Sequence, residues 1–425
     1  MRDPFRVFIL LILLTFLIFP YLVLGLHFDV SSFLVGQDFW KALGFTLVQS
    51  FLSAIVTMTF GLLGAYGLIY LSRHYSSGLV SAARFLSIVP NVFPSLLLIL
   101  AYLNLAPRNI APLASIVVVH SLINVGIVAV ALEDLLVSVV ARYSAVAEVM
   151  GAGKWTFFRR VVYGNIEKDV RIIGLSIFVI CLTSFSIPLI LGGRGATTLE
   201  VLIYEKLRVD QNWGLAASYS FIQSVLVLGL SLMLTQRRVH FQIEGRPKRM
   251  GLSLLSSPLG LVPVLLPVSC LFVGLSVGFG DGVQLILSNP AILDGIVGGL
   301  IGSIFIGMGV GLASLGLCIL ILYVFPTGAV RKVLLGHLAP SMVVVGFAMI
   351  SFSLTGEFSL IIGLSVLFFP FLYRFYLDSF LGQLNSQVQL VRTMGGGPLT
   401  ILTRIVLPQA WSRCCGIAAF ASFWA

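Results

Sequence analysis

The feature that most constrains this chain is a succession of apolar stretches, most of them as long as a bilayer is thick. A helix needs roughly 20 apolar residues to cross the hydrocarbon core. Because hydrocarbon offers backbone groups no hydrogen-bond partner, the stretches predict helices. They lie at about 6–26, 43–71, 85–105, 111–132, 171–192, 214–235, 253–279, 296–325, 333–355 and 358–377, and an eleventh begins near Trp411.

The composition agrees with this interpretation. Only 10% of the 425 residues are charged and 58% are hydrophobic, whereas soluble globular chains have roughly 25% charged residues. This excludes a soluble protein and predicts an all-α polytopic membrane protein with about 10–11 transmembrane helices. The cysteines lack metal-ligand spacing, and neither H-E-x-x-H nor G-x-S-x-G occurs. We therefore expect no metal site, no catalytic residues and no enzymatic activity of the chain itself.

The basic residues set the predicted orientation. With the N-terminus in the cytoplasm, nearly all Lys and Arg side chains fall on the cytoplasmic side, as the positive-inside rule requires. The exceptions are Lys41, Arg108, Arg194, Lys206 and Arg208. This topology accounts for the net charge of +10 without a nucleic-acid partner. It predicts a multi-pass protein of the cytoplasmic (inner) membrane whose long basic loops, 133–170 and 378–410, face the cytoplasm.

The two basic loops carry nearly the same sequence. AEVMGAGKWTFFRRVVYG begins at Ala147, and VRTMGGGPLTILTRIVLP begins at Val391. Aligning Gly151 with Gly395 places Met150 on Met394, Arg160 on Arg404 and Val162 on Val406 without a gap. The chain is therefore predicted to be a tandem parallel repeat of a six-helix unit, with halves 1–240 and 241–425. The second copy is expected to be incomplete, with its last helices missing.

The first loop is predicted to form two short helices around a glycine bend, from Ser144 to Met150 and from Lys154 to Tyr163. Trp155 and Phe158 are apolar for a cytoplasmic loop, and Arg160 adds charge beside them. Two interpretations stay open. The aromatic and basic residues form a protein–protein docking site, or they lie in the lipid headgroup zone, as Trp commonly does.

Polar residues inside apolar stretches are candidates for function. His120 and Asn124 are one helical turn apart and either line a substrate pathway or bond one helix to another. Glu133 and Asp134 are expected at a helix end, exposed to water. Small residues at close spacing predict tight helix packing, and these are Gly61, Gly64, Gly67 and the run Gly298–Gly316.

The two loops resemble the EAA motif of binding-protein-dependent ABC importer permeases. The glutamate position of the motif holds Ala145 in the first copy and Gln389 in the second, and the first copy ends in Tyr163-Gly164 rather than Leu-Pro. The stretch HSLINVGIVAVAL resembles a helix of the family, and LGGRGATTLEVLIYEKLRVD resembles a segment of thiamine permeases. Fusion of two units in one chain is similar to the thiamine and ferric-iron permeases.

The resemblance implies a role for each matching residue. ATPase coupling is implied for Ala147, Gly151, Ala152, Trp155, Phe158 and Arg160 of the first loop and for Gly395, Gly396, Arg404, Leu407 and Pro408 of the second. His120 and Asn124 are the candidate pathway residues. Glu200 and Tyr204, in the outside segment from Arg194 to Trp213, are the candidate contacts for a periplasmic binding protein, and a plain solvated loop is the alternative for this segment.

The resemblance also implies partners and an activity. The chain would bind no cofactor, because ATP would be used by two separate ABC ATPase subunits. GAGKW lacks the spacing of a phosphate-binding loop. A periplasmic solute-binding protein would deliver a small solute, thiamine-like before ferric iron, for import through the bilayer. Two other classes stay open: a secondary transporter or channel, and a truncated permease that serves as a non-transporting scaffold.

Overall fold

The structure is a computed structural model that describes residues 4–28, 36–107, 110–234, 256–324, 342–351, 356–373 and 384–424. Every regular element in these ranges is helical. The predicted boundary between halves at 240/241, and residues 378–383 of the second loop, lie outside them. The all-α fold predicted for a polytopic membrane protein is confirmed in the described part of the chain.

The α-helices of the first half of the sequence are α1 Pro4–His27, α2 Gln37–His74, α3 Ser77–Val92, α4 Ser95–Leu105, α5 Pro112–Val149, α6 Lys154–Phe157, α7 Tyr163–Leu182, α8 Ser186–Leu191, α9 Leu199–Arg208 and α10 Trp213–Leu234. Those that follow are α11 Leu261–Ser276, α12 Phe279–Ser288, α13 Pro290–Val324, α14 Met342–Ser351, α15 Glu357–Tyr373, α16 Asn385–Thr393, α17 Pro398–Ile401 and α18 Leu407–Trp424. Short π-helical segments, Phe158–Val162 and Leu402–Val406, precede α7 and α18.

Length and composition identify the helices that can cross a membrane. Among the described residues five segments qualify: Gln37–His74, Pro112–Val149, Trp213–Leu230, Pro258–Ser276 and Pro290–Tyr323. The pair α3 and α4, which is bent by 93°, makes a sixth if it is one broken span. The larger number of about 10–11 transmembrane helices stays a prediction, because several of the predicted apolar stretches form only short helices within the described ranges.

Two details of the predicted helices are wrong. The continuous helix at 85–105 is broken between α3 and α4, because Pro94 disfavours helical backbone at the residue before it. Phe93 accordingly has extended angles, φ −67° and ψ 148°. The loop predicted from residue 133 does not begin there, since α5 continues to Val149.

The described helices group into two compact units that are not continuous in sequence. One unit comprises Trp40–Val201 and Val239–Gln284, and the other comprises Met1–Phe39, Leu202–Arg238 and Leu285–Ala425. The second grouping places α1 and α10 with the helices of the second half. Grouping by proximity does not locate a duplication boundary, so the halves 1–240 and 241–425 stay a prediction.

Small residues permit close helix packing within each unit. A Cβ on Gly61 would lie 2.3 Å from a methyl carbon of Val128, so α2 and α5 approach closely only because this residue is glycine. In the other unit, a Cβ on Gly307 would lie 2.4 Å from the carbonyl oxygen of Ser422 in α18. The packing role is wrong for Gly298, Gly299, Gly302 and Gly316, where a Cβ would meet nothing within 4 Å.

Candidate functional site

The first bend, residues 147–164, ends α5 and begins α6. After Val149 the chain turns at Gly151, whose φ is +67°. Its amide donates to the carbonyl of Glu148 (2.9 Å), and the amide of Ala152 donates to the carbonyl of Ala147 (2.9 Å). Glycine suits this position because left-handed backbone is unfavourable for residues with a Cβ. The bonds satisfy carbonyls that the end of a helix leaves without intrahelical partners.

The second bend, residues 391–408, repeats this local geometry. It follows Thr393 at the end of α16 and turns at Gly395, whose φ is +82°. The Gly395 amide donates to the carbonyl of Arg392 (3.1 Å), and the Gly396 amide donates to that of Val391 (2.9 Å). Each donor and acceptor is the residue that the sequence alignment of the two loops pairs with its counterpart in the first bend.

A π-helical segment follows each bend at the matching position. Phe158–Val162 joins α6 to α7, and Leu402–Val406 joins α17 to α18. In each, the amide of the residue after the segment donates to the carbonyl of the first residue of the segment. Single π turns inside α-helices are rare and are frequent at functional sites. Neither π turn was predicted from the sequence, since no residue type marks one.

Each bend has a buried face that fixes it to its own unit. Phe157 and Val162 are buried in the core formed by α2, α5 and α7. Ile401 and Val406, at the matching positions, are buried in the core formed by α13, α15, α16 and α18. The bends are therefore packed elements rather than free loops.

The opposite face of each bend exposes large apolar side chains. Met150 is 78% exposed and Trp155 is 66% exposed. At the matching positions Met394 is 77% exposed and Leu399 is 63% exposed. Such side chains occur both at protein interfaces and in the lipid headgroup zone, and the two bends expose them at matching positions.

The structure brings the predicted coupling residues together within each bend. Ala147 and Phe158 are half-buried against the first core, while Gly151, Ala152, Trp155 and Arg160 are exposed. In the second bend, Gly396 and Leu407 are half-buried, while Gly395, Arg404 and Pro408 are exposed. Their role in coupling remains a prediction.

The candidate pathway residues are buried between helices. Asn124 donates to the carbonyl of His120 (2.9 Å) and accepts from Asn91 of α3 (3.3 Å). Nδ1 of His120 lies 3.4 Å from the hydroxyl oxygen of Ser53 in α2. These contacts join α2, α3 and α5, as interhelical hydrogen bonds do in membranes. A pathway role for either residue remains a prediction.

A row of buried polar residues on α2 was not predicted from the sequence. It consists of Thr46, Gln49, Ser50, Ser53 and Thr57, all fully buried. The Gln49 amide donates to the carbonyl of Cys181 in α7 (3.0 Å), and the Thr46 hydroxyl accepts from the backbone amide of Leu199 (2.8 Å). The recurrence of polar residues every three to four positions was the available signal, because that spacing places them on one helix face.

The predicted position of two acidic residues and the predicted solvation of one of them are wrong. Glu133 and Asp134 are within α5 rather than at its end, and Glu133 is buried rather than solvated. Arg84 of α3 lies 2.7 Å from Glu133 and 2.9 Å from Asp134. This ion triad forms because a buried carboxylate requires a paired cation.

The candidate binding-protein contacts differ in exposure. Glu200, in the first turn of α9, is fully buried, so the structure does not offer its side chain to a partner. Tyr204 is partly exposed one turn later. Beyond it, Lys206 forms a 2.6 Å ion pair with Asp210. The hydrogen bond to Asp210 raises the pKa of Lys206.

The fold and these sites define a multi-pass helical membrane protein with two glycine bends of the same local geometry. No family model matches the chain. It is 28% identical over 238 residues to the thiamine transport system permease protein ThiP of Brucella suis, a match that covers 52% of this chain and 42% of the relative. ThiP of Escherichia coli K12 is 27% identical over 223 residues, covering 48% and 41%.

A shorter match has a higher identity. ThiP of Salmonella typhimurium is 32% identical over 126 residues, covering 29% of this chain and 23% of the relative. The chain spans less than half the length of these curated relatives. Their names describe transport permeases rather than enzymes.

Proposed function

We propose that this chain is the membrane permease subunit of an ATP-driven ABC importer in a bacterial inner membrane. The observation that carries the proposal is the pair of bends, which share hydrogen bonds, glycine conformation and a π turn and which expose apolar side chains at matching positions. Relatives that are named thiamine transport permeases support it. Each bend would dock on one of two ATPase subunits in the cytoplasm.

The buried face of each bend supports a mechanical role. Phe157 and Val162, and likewise Ile401 and Val406, join the exposed tip to packed helices. A force applied to Trp155 or Leu399 would therefore reach the membrane helices without first unfolding a flexible loop. ATP-driven closure of the ATPase subunits would move both bends and alternate access to the transport pathway.

The proposed solute is thiamine-like, with ferric iron as the next candidate. Support comes from the relatives' names and from the resemblance of the segment 191–210 to thiamine permeases. A periplasmic binding protein would deliver the solute. His120 and Asn124 are the proposed pathway residues, and Tyr204 is the proposed contact for the binding protein.

The test of coupling is the double variant Gly151→Trp, Gly395→Trp. Both residues have positive φ, so an indole adds bulk at the tip and also strains the backbone. We expect the ATPase subunit that co-purifies with the wild-type chain to be lost, at least tenfold, while yield in the membrane is unchanged. Gly78→Trp is the control, because a Cβ there meets nothing within 4 Å.

The outcomes separate the candidate functions. Normal recruitment of the ATPase by the double variant contradicts the assignment of the bends. A wild-type chain that recovers no nucleotide-hydrolysing partner favours a secondary transporter, a channel or a scaffold. In nanodiscs, stimulation of ATP hydrolysis by a binding protein loaded with thiamine supports the proposed solute, and stimulation by the Fe³⁺-loaded form alone reverses the order.

A further inference from the structure

The two bends share their local backbone geometry but differ in chemistry at several exposed positions, including three at which an aromatic ring or a charge is replaced. Trp155 corresponds to Leu399, and Arg159 corresponds to Thr403. One helical turn before the glycine, Glu148 corresponds to Arg392, so the charge is reversed. Because the backbones match, the two bends differ in the side chains that they present to a partner.

The first bend presents an aromatic platform beside cations. The rings of Trp155 and Phe158 are stacked, with centroids 5.9 Å apart and planes inclined by 28°. Arg159 and Arg160 are exposed in the same short segment. A rigid aromatic anchor with neighbouring guanidinium groups fits an apolar slot bordered by carboxylates, since aromatic and arginine side chains dominate protein-binding hot spots.

The second bend presents only aliphatic anchors. Leu399 and Met394 are exposed, while Leu402, at the position of Phe158, is buried in the core. Arg404 is the cation that matches Arg160, and Thr403 is uncharged. These flexible apolar side chains fit a shallow apolar pocket.

The charge reversal at Glu148 and Arg392 prevents one surface from serving both bends equally well. A partner cation that attracts Glu148 repels Arg392, and a partner anion does the opposite. Such repulsion is a common source of specificity at protein interfaces. The two bends therefore discriminate between partner surfaces at residues whose carbonyls accept the same bend hydrogen bond, from the amides of Gly151 and Gly395.

We propose that the two bends present chemically different faces to the ATPase subunit and that the first bend holds it more tightly. The first bend fits best an apolar slot with carboxylates near Trp155 and a cation facing Glu148, whereas the second fits best an apolar pocket with a carboxylate facing Arg392, so one subunit surface favours one of them. This inference rests on the proposed function and concerns which partner surface each bend accepts.

The test exchanges the three residues between the bends. One variant carries Glu148→Arg, Trp155→Leu and Arg159→Thr, which gives the first bend the residues of the second. The other carries Arg392→Glu, Leu399→Trp and Thr403→Arg. The matched control exchanges Val146 and Leu390 as Val146→Leu, Leu390→Val, because both are exposed aliphatic residues at corresponding positions.

Binding of the purified ATPase subunit to the full chain in nanodiscs is measured by titration. We expect two binding steps for the wild-type chain and for the control, with affinities that differ by at least about tenfold. The first exchange should weaken the tighter step by about tenfold and bring the two steps together. The second exchange should tighten the weaker step, and 0.5 M salt should weaken mainly the tighter one.

Equal affinities in the wild-type chain, or two unchanged steps in the first variant, overturn the inference and leave the proposed function standing. The absence of binding by the wild-type chain overturns both. Lipid as the occupant is tested separately with brominated lipids in the nanodisc. If the emission that Trp155→Leu removes is quenched by those lipids, the first bend lies in headgroups and the inference fails.

Discussion

The bends contain neighbouring glycines that are required for two different physical reasons. Gly151 and Gly395 have positive φ and are required by the backbone, whereas Gly396 is required by space. A Cβ on Gly396 would lie 2.4 Å from Cγ1 of Val391 and 2.9 Å from its carbonyl oxygen. In the first bend the same two positions hold Ala152 and Ala147. The second bend therefore packs the larger Val391 against Gly396, where the first bend packs one alanine against another.

This pairing gives a prediction at the scale of the residue. Gly396→Ala should lower stability by about 1–2 kcal/mol, because overpacking displaces Val391. Val391→Ala in the same chain should restore part of the loss by recreating the alanine pair of the first bend. The measurement is the midpoint of thermal unfolding in detergent.

Gly397→Ala is the matched control for this experiment. A Cβ at Gly397 meets nothing within 4 Å, and its φ is −74°. Its substitution should change the midpoint little. Equal effects of Gly396→Ala and Gly397→Ala would refute the steric explanation.

At the scale of the element, the ion triad of Arg84 with Glu133 and Asp134 joins α3 to the middle of α5. The Glu133 side chain is 1% exposed, so its charge depends on the paired guanidinium. The sequence showed the acidic pair but not its partner. That partner lies on another helix far along the chain, and periodicity describes only one helix at a time.

Arg84→Met should therefore be strongly destabilising. Removing one member of a buried ion pair costs about 3 kcal/mol or more, because the remaining charge stays in a poor solvent. Arg171→Met is the control, since Arg171 pairs with Glu167 on the surface of α7 and exposed pairs contribute little.

Thermal unfolding of the two variants in the same detergent provides the comparison. Adding Glu133→Gln to Arg84→Met should recover part of the loss, because the buried charge is then removed. Similar midpoints for Arg84→Met and Arg171→Met would show that the triad is not a stabilising feature.

At the scale of the whole molecule, the question is whether both bends reach the same side of the membrane. The distribution of Lys and Arg predicts that they do. Thr156 and Thr400 occupy matching exposed positions on the two bends. Gln211, after α9, is exposed in the segment predicted to lie on the opposite side.

Single cysteines at these positions test the topology. In a chain with the exposed Cys415 replaced by Ser, Thr156→Cys and Thr400→Cys should react with a membrane-impermeant maleimide only in inside-out vesicles. Gln211→Cys should react only in right-side-out vesicles. Labelling of Thr156→Cys and Thr400→Cys from opposite sides would contradict the parallel repeat.

The amino-acid sequence was sufficient to predict the class of fold, because the chain has too few polar residues to cover a surface that faces water on all sides. It also located both bends, since glycine at a left-handed position and the repeated neighbours are local properties. The remainder was set by tertiary contacts: which glycines face another helix, that Glu133 and Glu200 are buried, and how the helices group. These depend on contacts between residues distant in the chain, and a linear pattern does not specify which distant partner each helix face will meet.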